Sequence, residues 1–288
     1  MESNILIATA LNGHVRIYLA DTSKLIEDAR LAHDLWPSSC GALGRALSIT
    51  AIMGSMLKNK DESITTSING GGAIGSIICV ANGNGDVKGF CGDSHIYLKR
   101  NSDNSLIIDE IIGKNGYLKV IKDLKLKNNY VSEVRLQKGD ISQDFAYYFA
   151  SSEQTPSIIM PGVLIGNDNK VISAGCLFIE LMPGHNEEDI EYLESKMDIL
   201  KINQISSVIK SSDFGISFLK DLFNDLIILD RKSIRYFCGC SREKFFDNLK
   251  ALPKSDIEEI SKDENIETKC EFCNKKYIFT QEEIKKLL

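Results

Sequence analysis

The apolar and polar positions of this chain change rhythm along its length. Up to about residue 183, helical and strand periods alternate. Leu25, Ile26, Ala29 and Ala32 recur at helical spacing and predict a helix over residues 21–35. Pro37 starts a second helix, rich in small residues, that reaches to about residue 58. Strands are predicted over 63–68, 73–81, 87–91 and 130–136, and an aromatic-rich helix from Asp140 to about 152. The pairs Asn82-Gly83 and Asn84-Gly85 separate the second and third of those strands. Asn and Gly tolerate positive φ, so the pairs predict a hairpin. A second hairpin, 158–165 with 171–181, turns around Asn167-Asp168-Asn169. Antiparallel pairing with interspersed helices makes residues 1–183 an α+β core domain.

From 184 to 230 the rhythm is different. Glu187, Glu188 and Asp189 follow Asn186, a good helix start by capping and by the helix dipole. Leu193, Met197 and Leu200, then Phe218, Leu222 and Phe223, give a helical linker whose apolar face must cover something, and the first domain is the candidate. The last part, 231–288, is thin in apolar residues. Ser241 can cap a helix through Leu252; Ser255 with Glu258 and Thr280 with Glu283 read as capping boxes. Residues 266–279 read as a hairpin, with Asn274 suited to the left-handed turn.

Composition narrows the classes. At 288 residues, with 43% apolar and 26% charged, the chain suits two packed domains. A net charge of -6 argues against a general nucleic-acid binder, which needs a basic surface. Residues 1–20 lack the basic stretch and apolar run of a signal peptide, and no apolar run is long enough to span a bilayer. A soluble cytoplasmic protein without membrane partners is expected, in a compartment where cysteines stay free or bind metal.

The candidate chemistry lies in the last part. Half of the 8 cysteines fall there, as Cys238-Gly239-Cys240 and Cys270-Glu271-Phe272-Cys273. Two close pairs flanking a capped helix suit one tetrahedral Zn²⁺ with four thiolate ligands, in a zinc domain over 231–288. That leaves a structural staple or a redox sensor open. The first pair has a single intervening residue. Gly239 lets both thiolates turn onto one ion, and the same closeness would let the sulfurs join once the metal leaves.

The other motifs are weaker. Gly70, Gly72 and Gly75 spell a dinucleotide-binding pattern, but a strand follows where a helix is required, so a turn with close backbone packing is expected. Asp213-Phe214-Gly215 has no kinase companions. Cys40, Cys79, Cys91 and Cys176 fall on predicted helix or strand faces and read as buried small hydrophobes without an assigned role. His14, His33, His95 and His185 are scattered, and no catalytic constellation is evident, so no enzyme is predicted.

The run Cys238-Gly-Cys-Ser-Arg-Glu-Lys, then Ala251-Leu-Pro and Cys270-Glu-Phe-Cys, closely resembles the switch region of the redox-regulated chaperones of the heat shock protein 33 family. Ser152-Glu-Gln-Thr-Pro-Ser157 and the segment 69–76 are similar to that family's first domain. The resemblance runs over nearly the whole chain, with a local difference at Cys91-Gly-Asp-Ser. It implies an ATP-independent holdase. Reduced, it holds one Zn²⁺ on Cys238, Cys240, Cys270 and Cys273 and is inactive. Oxidised, it forms the disulfides Cys238–Cys240 and Cys270–Cys273, releases zinc, loosens the switch, dimerises and binds unfolding client proteins.

Physical chemistry supports that expectation. Thiolates are the form that oxidants attack. Structural zinc contributes about 10–16 kcal/mol in finger peptides, against about 5–15 kcal/mol for the stability of a whole domain. Metal loss should therefore unfold a module this small. Two rivals stand beside the chaperone. A zinc-ribbon nucleic-acid binder is disfavoured because 231–288 carries 13 basic and 11 acidic residues without a basic stripe. A thiol–disulfide oxidoreductase would place Cys270-x-x-Cys273 at a helix start rather than in a hairpin knuckle.

Overall fold

Both faces of the opening strands are apolar, and this sets the architecture. Strand β1 (Asn4–Ala10) sends Ile5 and Ile7 into one core and Leu6 and Ala8 into another. β2 (Val15–Asp21) does the same with Tyr18 and Ala20 against Val15, Ile17 and Leu19. A strand buried on both faces reads as a near-continuous apolar run, without the alternation that marks a half-buried strand. The computed structural model describes residues 2–99, 106–202, 204–211 and 213–288. Position 1 of the amino-terminal stretch and positions 203 and 212 of the predicted linker lie outside the described residues. The chain divides into two compact units, Met1–Tyr236 and Phe237–Leu288.

In the first unit, helices α1 (Ser23–His33) and α2 (Pro37–Ser55) follow β2, near the predicted places. Then come β3 (Ser63–Asn69), β4 (Ile77–Asn82), β5 (Asp86–Cys91), the short α3 (Asp109–Ile112), β6 (Tyr117–Asp123) and β7 (Tyr130–Arg135). Helix α4 (Ile141–Tyr148) is capped by Asp140, which accepts from the Gln143 amide, and continues as a π-helical turn through Glu153. The hairpin β8 (Ser157–Ile165) and β9 (Val171–Leu181) is the expected one. Helices α5 (Glu187–Ile202), α6 (Ile205–Ile209) and α7 (Ile216–Leu222) lead to β10 (Ile227–Ser233) and β11 (Arg235–Tyr236).

The strands form a five-stranded sheet, β10-β1-β2-β9-β8, and a six-stranded sheet, β11-β5-β4-β3-β6-β7. Pairing is antiparallel except for β11 alongside β5. Helix α2 packs against β3, β4 and β5 of one sheet and β8 and β9 of the other, which explains its run of small residues. The second core lies on the far face of the five-stranded sheet. There Leu193, Leu200, Ile205, Val208, Leu219, Leu222 and Phe223 from α5 to α7 and the turn after α7 cover Ile17, Leu19, Leu177 and Ile179. The apolar faces of α5 to α7 thus cover the five-stranded sheet within the first unit. Asn186 accepts from the Asp189 amide, the expected cap, and Asp189 also takes a 2.7 Å contact from His14 Nδ1.

Several sequence expectations change. The strand expected over 73–81 begins only at Ile77, because Gly75 takes φ +68° and the preceding residues turn. A Cβ on Gly72 would stand 2.3 Å from the Ile111 carbonyl oxygen, so the glycine pattern is a close backbone crossing, as expected. Residues 227–230, read as the end of a helical stretch, open β10. Its partners, Thr9 to Asn4 of β1, lie too far away in sequence for local periodicity to register them.

The second unit holds α8 (Arg242–Lys250), α9 (Lys254–Ile260), the hairpin β12 (Asn265–Lys269) and β13 (Lys276–Thr280), and α10 (Gln281–Lys285). Its core is small: Ile257, Tyr277, Phe279 and Ile284 are buried, with Phe246 stacked on Phe279 at 5.7 Å. Ser241 caps α8 through the Lys244 amide, and Thr280 with Glu283 forms a full capping box. The box expected from Ser255 and Glu258 does not form. Pro253, whose backbone is already extended, takes the cap position, and Ser255 falls inside α9.

Candidate metal centre

Two pieces of irregular backbone bring four sulfurs together. The first lies between β11 and α8, where Cys238 and Cys240 flank Gly239. Gly239 has φ +67°, a conformation that strains side-chain-bearing residues, and it reverses the chain so that both thiols face one point. Lys244 Nζ donates to the Gly239 carbonyl at 2.7 Å and holds this turn against the start of α8. The second piece is the knuckle between β12 and β13. The Asn274 amide donates to the Cys270 carbonyl at 2.7 Å, and Asn274 takes φ +58°, the left-handed turn its residue type suits. The Cys270 amide in turn donates to the Lys275 carbonyl at 3.0 Å.

All four Sγ atoms lie within 4.8 Å of one another. Cys238 and Cys270 stand 3.5 Å apart, and Cys240 and Cys273 3.3 Å. Four thiolates about 2.3 Å from one ion would form a tetrahedron with edges of roughly 3.8 Å. The cluster therefore has the donor type, number and size to hold a metal ion. Among the described residues it is the one group of three or more His, Cys, Asp or Glu side chains so gathered. Cys270 is buried, and the other three thiols are half-buried.

The protons on this cluster are unevenly held. Against the upward pull of burial, hydrogen bonds from Tyr277 and the neighbouring thiols bring Cys240 down to about 7. Burial pushes Cys238 well up, and burial also takes Cys273 up to about 11. Cys240 is thus a ready thiolate near neutral pH while Cys238 and Cys273 keep their protons. The Tyr277 hydroxyl lies 3.1 Å from Cys240 Sγ, and that hydrogen bond pushes the phenol upward. Sequence reasoning missed Tyr277. Its one signal is the alternation Tyr277, Phe279 on the buried face of β13, which says core and nothing about a hydroxyl on sulfur.

The remaining cysteines behave otherwise. Cys40, Cys79, Cys91 and Cys176 are buried in the core of the first unit, where burial raises all four thiols, Cys40 and Cys91 to about 12. They are packing residues, as the pattern predicts. The four histidines stay apart: His14 meets Asp189, His33 meets Tyr236, His95 meets Asp34 and His185 meets the Met182 carbonyl. No described helix is long and apolar enough to cross a membrane.

Comparison with known proteins gives relatives along nearly the whole chain. The sequence model of the family described as Hsp33 protein matches residues 3–280. A 33 kDa chaperonin of Geobacillus sp. (strain WCH70) is 37% identical over 290 residues, covering 100% of this chain and 97% of the relative. A 33 kDa chaperonin of Clostridium perfringens is 40% identical, covering 100% and 91%. The crystal structure of the 33 kDa chaperonin (heat shock protein 33 homologue) of Thermotoga maritima matches with a TM-score of 0.91 at 31% identity, over 100% of this chain and 98% of that one.

Proposed function

The chain belongs to the Hsp33 family, a family of chaperones, and from that premise we propose that it is a redox-regulated holdase that works without ATP. In this reading, residues 1–183 are the core, 184–230 the linker and 231–288 the switch. The reduced chain holds one zinc ion on Cys238, Cys240, Cys270 and Cys273 and is inactive. The observation that carries the reading is the gathering of those four sulfurs within 4.8 Å on a unit with a very small core. Bound zinc would keep all four sulfurs as thiolates and tie the two backbone pieces together.

The chain's own residues supply the rest. The half-buried Cys238, Cys240 and Cys273 are the thiolates that peroxide reaches first. A Cys238–Cys240 disulfide forms as the two sulfurs give two electrons to peroxide, which leaves as two waters after taking up two protons. Cys270 and Cys273 repeat the step with a second peroxide. The second unit then loses the tie between Gly239's turn and the Asn274 knuckle, and its core of four buried apolar residues does not hold it folded. Loosening extends to the linker, whose Leu193, Leu200, Leu219 and Phe223 offer apolar surface to unfolding clients. The active form is a homodimer, and the protein works in the cytoplasm.

The test measures zinc content, free thiols and suppression of client aggregation before and after peroxide at raised temperature. Zinc loss, disulfide formation and the gain of holdase activity are expected together. A reduced, zinc-loaded chain that already suppresses aggregation as well as the oxidised one would overturn the reading.

A further inference from the structure

Tyr277 fills a core position that a phenylalanine would fill as well. It lies on the buried face of β13, two residues before Phe279, and both are buried. Phe245 of α8 lies against its ring with centroids 5.0 Å apart, and the Lys275 ammonium stands 5.5 Å from the ring centroid. Packing therefore accounts for the ring and says nothing of the hydroxyl. A hydroxyl taken out of water is costly without a partner, and a buried tyrosine is kept where its oxygen finds one. Here the partner is Cys240 Sγ, 3.1 Å away.

The sulfurs of the cluster are not served alike. Cys238 and Cys273 have backbone amides against them, those of Cys240 and Lys275. Such amides come with the two turns of the chain. The bond to Cys240 is brought instead by a side chain on the strand after the knuckle, and α8 holds that ring in place. Groups that hydrogen-bond a metal's ligands from outside orient those ligands and tune their electron density. In a loaded centre the four sulfurs are already thiolates. The Tyr277 bond then leaves protonation alone and acts on the sulfur lone pairs. A thiolate whose electron density is drawn away is a poorer nucleophile towards an oxidant.

We propose that Tyr277 is a positioning residue that sets the oxidant threshold of the metal centre: its hydroxyl donates to the Cys240 sulfur, aims that sulfur at the ion and damps its attack on peroxide. This role rests on the redox reading of the chain and adds to it a residue outside the ligand set. In that reaction two sulfurs give two electrons to peroxide, which takes up two protons and leaves as two waters. Tyr277 gives and takes neither electron nor proton. It slows the first attack, so that a trace of oxidant leaves the centre intact while sustained oxidant opens it.

The test uses the full chain, reduced and loaded with Co²⁺ or with Zn²⁺. With Co²⁺, Tyr277→Phe should move the sulfur-to-cobalt charge-transfer band to longer wavelength, because the Cys240 thiolate becomes richer in electrons. With Zn²⁺, peroxide should release the ion about twofold to fivefold faster from Tyr277→Phe than from wild type, as read with a chromogenic chelator. A ring-fluorinated tyrosine at position 277 alone is a stronger donor of nearly the same size. It should move the band to shorter wavelength and slow the release. A tyrosine that only packs would not give the two opposite signs. If circular dichroism shows Tyr277→Phe unfolded, the fluorinated chain decides. The role is overturned if folded Tyr277→Phe keeps the wild-type band and release rate. It is equally overturned if fluorination changes neither, or moves them as Tyr277→Phe does. A wild-type chain that binds neither ion, or keeps its Zn²⁺ under peroxide, overturns the redox reading itself and this role with it.

Discussion

The first unit buries Phe145, Tyr148, Phe178 and Phe223 almost completely and sets a core on each face of one sheet. The second unit buries Ile257, Tyr277, Phe279 and Ile284 and gathers four thiols beside them. Cysteine is put to opposite uses in the two. Cys40, Cys79, Cys91 and Cys176 are packed out of reach with their protons held tightly. Cys240 is half-exposed and titrates near neutrality. The same residue type is thus inert where packing is ample and reactive where packing is scarce. In the proposed reading, the unit that rests on burial is indifferent to redox state, whereas the one that rests on sulfur ligation answers to it.

The largest effect expected is on the second unit alone. Chelating the metal from the zinc-loaded chain, or Cys270→Ser, should remove support on the scale of about 10–16 kcal/mol. Hydrogen exchange should then show residues 237–288 unprotected while β1, β2 and β9 keep their protection. Loss of protection in both units together would break the contrast. Next, Phe279→Ala should cost about 3–5 kcal/mol. The zinc-loaded second unit should melt first and separately, whereas Phe145→Ala, with a similar cost, should leave the first unit folded at 25 °C.

Smaller effects sharpen the picture. Tyr277→Phe removes the hydroxyl 3.1 Å from Cys240 and should raise that thiol from about 7 toward its ordinary range. Alkylation of the metal-free protein by iodoacetamide at pH 7 should slow by about tenfold or less, since a weaker acid is also a better nucleophile. Smallest is an acid-limb effect. Arg242 Nη2 holds both Glu283 oxygens, at 2.7 and 2.8 Å, and with the Thr280 amide brings that carboxyl down to about 2. The folded pKa lies below the unfolded value near 4.5, so the contribution is full above that value and fades as pH falls toward 2. Glu283→Gln should flatten the stability of the second unit over that window in pH-dependent melts.

Legibility in the sequence followed the reach of each interaction. The cysteine pairs, the Ser241 cap, the Thr280–Glu283 box and the turn at Asn274 are local devices, and their residues state them. The α4 cap at Asp140 and the two hairpins are local as well. By contrast, β1 and β2 are covered on both faces, so their alternation vanishes into one apolar run. Strand β10 is a strand because β1 lies beside it, and no short window of residues 227–233 contains that fact. The site divides the same way. Its four sulfurs were readable from spacing, but the Tyr277 hydroxyl on Cys240 depends on how β13 folds back across the knuckle.

The pairing of β1 with β10 also has a consequence in time. Strand β1 is synthesised some two hundred residues before β10, yet one of its two edges is completed only by residues 227–233. At translation rates of 5–20 residues per second, that edge stays open for roughly ten to forty seconds. A nascent chain of this protein is, for that interval, itself a sticky edge in need of shelter.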